Sequence, residues 1–335
     1  MGLAITLMGV LTAWGAVALW YQASRRAWVR ALAGSLWLLF ACATLVASWH
    51  HPLPGSAAFA IACAGLLLWW VNIKPSNSRT WADDVAQMLH GSVVEDRVIL
   101  QNVRNFDWRT RTDYTASWET RTYDLNQLQG ADLIISYWSY TAIAHVLVSF
   151  GFTTGQHVVF SVEIRREKTE AYSEIGGFFK EFELSIIAAD ERDIVRLRTN
   201  VRGEDDYLYR LQLPAAARRD LFLGYVREAN GLVDAPRFYN TLTANCTTLI
   251  DHMMRTIVGH MPLDYRLILS GYLPSYYYKL GALDTRHSLT DLRRLGRITE
   301  RARAADRHPD FSAAIRAGIP DLIEPTDAPT SGLPS

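Results

Sequence analysis

The chain is 335 residues long and balances 34 lysines and arginines against 34 aspartates and glutamates. Zero net charge, with no strongly basic stretch, excludes an electrostatic footprint for nucleic acid. The average hides a sharp division, because residues 3–21, 31–49 and 56–73 contain no charged residue at all. Each run is close to the ~20 residues a helix needs to cross the hydrocarbon core of a bilayer. Trp20, Trp28, Trp49, Trp69 and Trp70 lie near the run ends, where amphipathic rings favour the membrane interface. The first run lacks a basic leader and two more runs follow it, which argues against a signal peptide. Three membrane helices are expected within residues 1–75.

The first loop carries Arg25, Arg26 and Arg30, whereas the second, HHPLPG, has no lysine or arginine. The positive-inside rule would put the first loop, and with it the folded part, in the cytoplasm.

Next comes KPSNSRTWADDVAQ, read as a polar linker. The rest is long enough for one domain with its own core, bounded at 76–322, with a disordered tail at 323–335. Strand signals come first, at 93–106, 119–125, 131–138, 141–152 and 156–167. Two more possible strands follow at 178–191 and 193–201. Helical patterns come later: 214–232, with Pro214 at its first turn, about 245–258, and 288–307, headed by Ser288 and Asp291 in the spacing of a capping box. The predicted fold class is α+β on a three-helix anchor.

No GxSxG, HExxH, CxxC, Walker or dinucleotide fingerprint is present. The nine histidines are scattered, so no metal site and no cofactor are expected. A nucleophilic cysteine is what remains. Cys42 and Cys63 sit inside the membrane runs, which leaves Cys246 in TANCTTLI. From it the apolar positions Leu249, Ile250, Met253, Met254 and Ile257 recur with helical period. Thr243 or Asn245 is a plausible N-cap, which puts Cys246 at the first turn. There the unpaired N–H groups and the positive end of the helix dipole favour thiolate and could hold an oxyanion. Most free cysteines are nevertheless small buried hydrophobes.

A base is available one hairpin away. Alternation puts Ile143, His145, Leu147 and Ser149 on one strand face. The link to the next strand, Thr153-Thr154-Gly155, has glycine where a three-residue hairpin loop turns left-handed. Pairing Phe152 with Gln156 then sets His145 opposite Glu163, with Cβ atoms roughly 4.5–5.5 Å apart. A carboxylate there would orient and charge the imidazole. A solvated cross-strand pair is the competing reading, and a slip of one residue would separate the two.

Together, WWVNIKPSNSRTWADDVA, VRNFDWRTRTDYTASWETRTYDL, HVLVSFGF, SVEIRREKTEAYSEI, LRTNVRGEDDYLY and FYNTLTANCTTLI resemble the bacterial membrane proteins that carry the Lnb-type periplasmic domain. The resemblance implies a permuted papain-like domain of antiparallel sheet and helices, with His before Cys, as in the lecithin:retinol acyltransferase relatives. It implies Cys246 as nucleophile and His145 as general base, with Glu163 on the strand that supplies the third polar residue. Tyr239, seven residues upstream of the thiol, matches a tyrosine thought to help the oxyanion, and Asn245 precedes the thiol directly in both groups. It also implies a multi-pass bacterial inner-membrane enzyme with a periplasmic domain, moving a fatty acyl group from phospholipid or diacylglyceryl to a lipoprotein amine through a Cys thioester. A protein partner is left open. A cysteine amidase or peptidase of the cell envelope, or a scaffold without activity, are the alternatives.

Overall fold

The computed structural model describes residues 2–259 and 261–321; the tail expected at 323–335 lies outside them. The chain divides into two compact units, the first comprising residues 1–79 with segments 170–183 and 237–241, the second comprising the rest.

The first unit holds three helices, α1 (Gly2–Gln22), α2 (Ala27–His50) and α3 (Pro52–Asn72). All three are long and apolar enough to cross a membrane. Their contact rests on Trp37, whose indole N–H donates to the Thr12 carbonyl at 2.9 Å. Trp37, Ala41, Phe59 and Cys63 form a small buried cluster. A Cβ on Gly15 would lie 2.6 Å from Trp37, so only glycine permits this approach of α1 and α2. The two later segments belong to this unit: Gln22 donates to the carbonyls of Phe179 and Lys180, and Lys180 Nζ donates to the Trp70 carbonyl at 2.7 Å.

The second unit is built on a sheet. In chain order the strands are β1 (His90–Val94), β2 (Arg97–Arg104), β3 (Asp107–Trp108), β4 (Tyr114–Thr115), β5 (Trp118–Asp124), β6 (Leu128–Tyr137), β7 (His145–Phe152), β8 (His157–Arg165), β9 (Glu183–Ala189) and β10 (Asp205–Arg210). The main sheet runs β1-β2-β9-β8-β7-β6-β10, with β5 also paired to β2, and β3–β4 form a separate ribbon. The β1–β2, β2–β5, β6–β7, β7–β8 and β6–β10 ladders are antiparallel, and β2 meets β9 in parallel. Helices α4 (Glu191–Arg196), α5 (Ala215–Asp234), α6 (Cys246–Val258), α7 (Leu273–Lys279), α8 (Leu289–Gly296), α9 (Thr299–Ala304) and α10 (Phe311–Arg316) complete the unit. The overall class is α+β, as the sequence indicates.

Alternation along β7 separates two cores. Leu147 joins Ile194, Val195, Ala302 and Ile315 from α4, α9 and α10. Phe150 faces the other way, against Phe222 and Tyr225 of α5. Helices therefore cover both faces of the central strands.

Three sequence expectations are corrected by this arrangement. The stretch read as a linker is folded from Thr80 onward: Trp81 is buried under the Arg165 guanidinium, and Ala82 and Val85 enter the core. Residues 193–201, expected as a strand, are helical, continuing from α4 into a π-helical stretch, Leu197–Arg202. Asp190 caps α4 by accepting from the Arg192 N–H. Its buried charges find distant partners, Glu191 on Arg316 and Asp193 on Arg104. The helix expected at 288–307 breaks into α8 and α9. At the break, the Ile298 N–H donates to the Asp206 carbonyl and Arg297 bridges to Tyr207 of β10.

Gly296, the last residue of α8, makes this crossing possible. A Cβ there would sit 2.4 Å from the Leu208 carbonyl oxygen, a backbone atom that cannot swing away. Gly296→Ala is expected to destabilise the domain by about 1–3 kcal/mol through overpacking. A denaturant titration checks it, and an unchanged midpoint contradicts the close approach.

Candidate active site

The β7–β8 hairpin sets the first half of the site. Gly155 adopts φ +82°, and the Phe152 N–H donates to the Gln156 carbonyl at 3.0 Å, closing the expected three-residue loop. The register follows, with Leu147 opposite Ser161 and Gly151 opposite His157. Continued by two residues, it brings His145 across from Glu163. The side chains meet: His145 Nε2 lies 3.2 Å from Glu163 Oε1. Ser161 sits between them, its hydroxyl 2.7 Å from His145 Nε2 and donating to Glu163 Oε1 at 2.7 Å.

Helix α6 sets the second half. Asn245 is its N-cap: Oδ1 accepts from the N–H groups of Thr247 and Thr248, while Thr248 Oγ1 accepts from the Asn245 N–H. This reciprocal box fixes Cys246 as the first helical residue. The Thr247 and Thr248 donors are occupied by the cap, and the Cys246 N–H is not part of it. Asn245 thus has a structural task that its side-chain oxygen fulfils completely. Asn245→Ala is expected to cost about 0.5–2 kcal/mol of stability. Circular dichroism during thermal unfolding measures it, and full retention of stability argues against the cap.

The two halves touch through the sulfur. The Cys246 thiol lies beside the His145 ring and the Val146 N–H, both of which act to lower it; the Thr247 hydroxyl lies 3.9 Å away. Cys246 is buried, 9% exposed. Burial pushes its thiol up, but the His145 hydrogen bond and charge, the Val146 N–H and the Thr247 hydroxyl together hold it below the ordinary thiol value. For His145, burial and the nearby Arg198 charge push down. The Glu163 charge, with the ring's hydrogen bonding toward Cys246 and Glu163, outweighs them and raises it to about 9. Glu163 is opposed by burial but is held well below the usual carboxylate range by His145, Arg198 and Ser161. These directions favour a thiolate, an imidazolium and a carboxylate in sequence, with charges alternating.

Sequence reasoning missed two members of this group. Ser161 precedes Glu163 by two residues, so alternation alone places it on the same face. Arg198 lies on the π-helical stretch that had read as strand. Its guanidinium spans Glu163 Oε1 at 3.2 Å and Glu204 Oε2 at 3.0 Å, and Ser136 Oγ donates to the same Glu204 oxygen at 2.5 Å. π-helical turns often occur at functional sites, and here the turn aims a buried cation at the acid behind the histidine.

Tyr239 belongs to the first unit. There its N–H donates to the Phe182 carbonyl at 2.9 Å, and its ring packs beside Gly177. Among the described residues, no group of His, Cys, Asp and Glu is placed to hold a metal ion.

Residues 114–271, which contain both halves of the Cys–His pair, match the family described as the Lnb N-terminal periplasmic domain. That segment is similar to an Lnb-type domain. No curated protein and no solved structure matches it. The Lnb-type domain follows three apolar spans, so this is an inner-membrane protein with its folded domain on the periplasmic side. Two spans, α2 and α3, separate the first loop from that domain and so put the loop on the same side, against the arginine bias. That bias rests on three charges in one short loop, and the rule is a statistical one. The likeness to the Lnb family points to an enzyme.

Proposed function

We propose that this protein is a membrane-anchored thiol acyltransferase. It moves a fatty acyl group from a phospholipid or diacylglyceryl ester to the amine of a lipoprotein, through a thioester on Cys246. The observation that carries this reading is the buried Cys246 thiol at a helix N-terminus beside His145, which Glu163 backs. The family described for residues 114–271 supports the lipoprotein setting.

In the reaction, the proton of Cys246 resides on His145, and the thiolate attacks the ester carbonyl carbon. A C–S bond forms while the carbonyl electron pair moves onto oxygen. The Cys246 N–H is the first-turn donor outside the cap and so the candidate to receive that oxyanion. Collapse breaks the ester C–O bond, and the imidazolium gives its proton to the departing alcohol. The amine then attacks the thioester, His145 takes its proton, and the thiolate leaves with an amide formed. Glu163 steadies the imidazolium throughout. Tyr239 is retained as a second oxyanion donor on the resemblance alone, and a wild-type rate in Tyr239→Phe removes it.

Purified full-length protein incubated with acyl-labelled phospholipid tests the reading. A hydroxylamine-labile acyl group on Cys246, absent from Cys246→Ser, is the expected result. Cleavage of envelope peptide without an adduct would instead establish an amidase, and inertness of wild type and variant alike would leave a scaffold.

A further inference from the structure

Two loops beside the Cys246–His145 pair carry most of the bare apolar surface of the second unit. Residues 138–144 join β6 to β7 and end against His145, and residues 261–272 follow α6. They are tied into one platform. Ser270 Oγ accepts from the Ala144 N–H at 2.9 Å and donates to the Ala144 carbonyl at 2.6 Å. The Gly271 N–H donates to the Ala142 carbonyl at 3.0 Å, and the Tyr137 hydroxyl donates to the Gly271 carbonyl at 2.6 Å. A Cβ on Gly271 would fall 2.0 Å from the Thr141 oxygen, so the two backbones are in direct contact.

From this platform Trp138, Tyr140, Ile143, Leu263, Tyr265 and Ile268 stand exposed. Leu263 is 90% exposed, Tyr140 76% and Tyr265 64%. Away from these loops, the described residues of the unit leave only Val93, Val94 and Leu242 comparably bare among large hydrophobics. Such clustering differs from the single exposed apolar residues of an ordinary surface. Residues 138–144 hold no charge, and the only charges in 261–272, Asp264 and Arg266, pair with each other at 2.6 Å. Nothing here opposes entry into a medium of low polarity, and tryptophan and tyrosine are the residues that settle at a lipid headgroup boundary. The same chain spans the inner membrane, so the apolar phase permanently available to this domain is that bilayer.

We propose that the loops 138–144 and 261–272 dock on the phospholipid surface of the membrane that anchors the chain, so that the Cys246–His145 pair opens at the bilayer interface.

The test uses the full chain, one copy per nanodisc of phosphatidylethanolamine and phosphatidylglycerol, with Cys42, Cys63 and Cys246 replaced by serine. Spin labels are attached at Leu263→Cys, at Tyr140→Cys and, for reference, at Val93→Cys. The expected result is at least a fivefold lower collision rate with a water-soluble nickel chelate at 263 and 140 than at 93, with oxygen collisions raised. Equal chelate access at all three sites overturns the proposal and leaves the platform to a protein partner or a second copy. A second arm rests on the acyl-transfer reading. Leu263→Asp with Ile268→Asp should slow Cys246 acylation from bilayer phospholipid at least tenfold, with alkylation by water-soluble iodoacetamide unchanged. Undiminished acylation contradicts docking; should alkylation fall as well, the labels decide. Failure of wild type to acylate at all would sink the transfer reading and leave the first arm standing.

Discussion

His145→Ala is expected to lower acyl transfer by about 10²–10⁴-fold, the range associated with a positioned acid–base group. The substitution removes two things together. Cys246 loses the hydrogen bond and charge that hold its thiol low, so burial is left to push it up. The departing alcohol also loses its proton donor. A thiol-specific label should still reach Cys246 in the folded variant, only more slowly at neutral pH. Measurement of initial rates with labelled phospholipid decides the matter, and a variant within threefold of wild type would remove His145 from the chemistry.

Glu163→Gln tests the pH dependence. In the native protein Glu163 is the largest influence raising His145, which stands at about 9 against the opposing effects of burial and Arg198. The reactive ion pair exists above the apparent pKa of the thiol and below that of the imidazolium, so activity should fall as pH rises through about 9. The pair titrates jointly, so both limbs belong to the pair as a whole. Neutralising Glu163 removes the anion that favours the imidazolium, and the alkaline limb should move toward neutrality. A displacement of two pH units, from about 9 to about 7, would leave about a tenth of the imidazolium at pH 8. A pH–rate profile measures it, and an unmoved alkaline limb would show that Glu163 does not govern the imidazole. The variant leaves Arg198 with Glu204, so the buried guanidinium keeps a partner.

Much of this site was legible because its register is set locally. Gly155 in a three-residue loop fixes which residues of β7 and β8 oppose one another, and that placed His145 with Glu163. The period from Leu249 to Ile257 fixed the start of α6, with Asn245 the true cap of the two candidates. Legibility stopped where partners are remote in sequence. Glu191, Asp193 and Arg198 are buried charges, and their short stretch of hydrophobics reads equally as strand. Arg316 and Arg104, which neutralise the first two, lie 125 and 89 residues away. The break between α8 and α9 was hidden for the same reason, since β10 supplies the groups that interrupt the helix. The three spans needed no such partners, because length and absence of charge suffice. Their orientation did need more, and the family of the domain that follows them supplied it.

The most direct test is the pH profile of iodoacetamide alkylation at Cys246 in the intact protein, followed by mass spectrometry of the peptide that contains it. A thiolate held by His145 predicts that the rate rises below the ordinary thiol value, and that His145→Ala moves the rise upward. A wild-type rise at or above the ordinary thiol value, superimposable on that of His145→Ala, would contradict the ion pair and the transfer chemistry built on it.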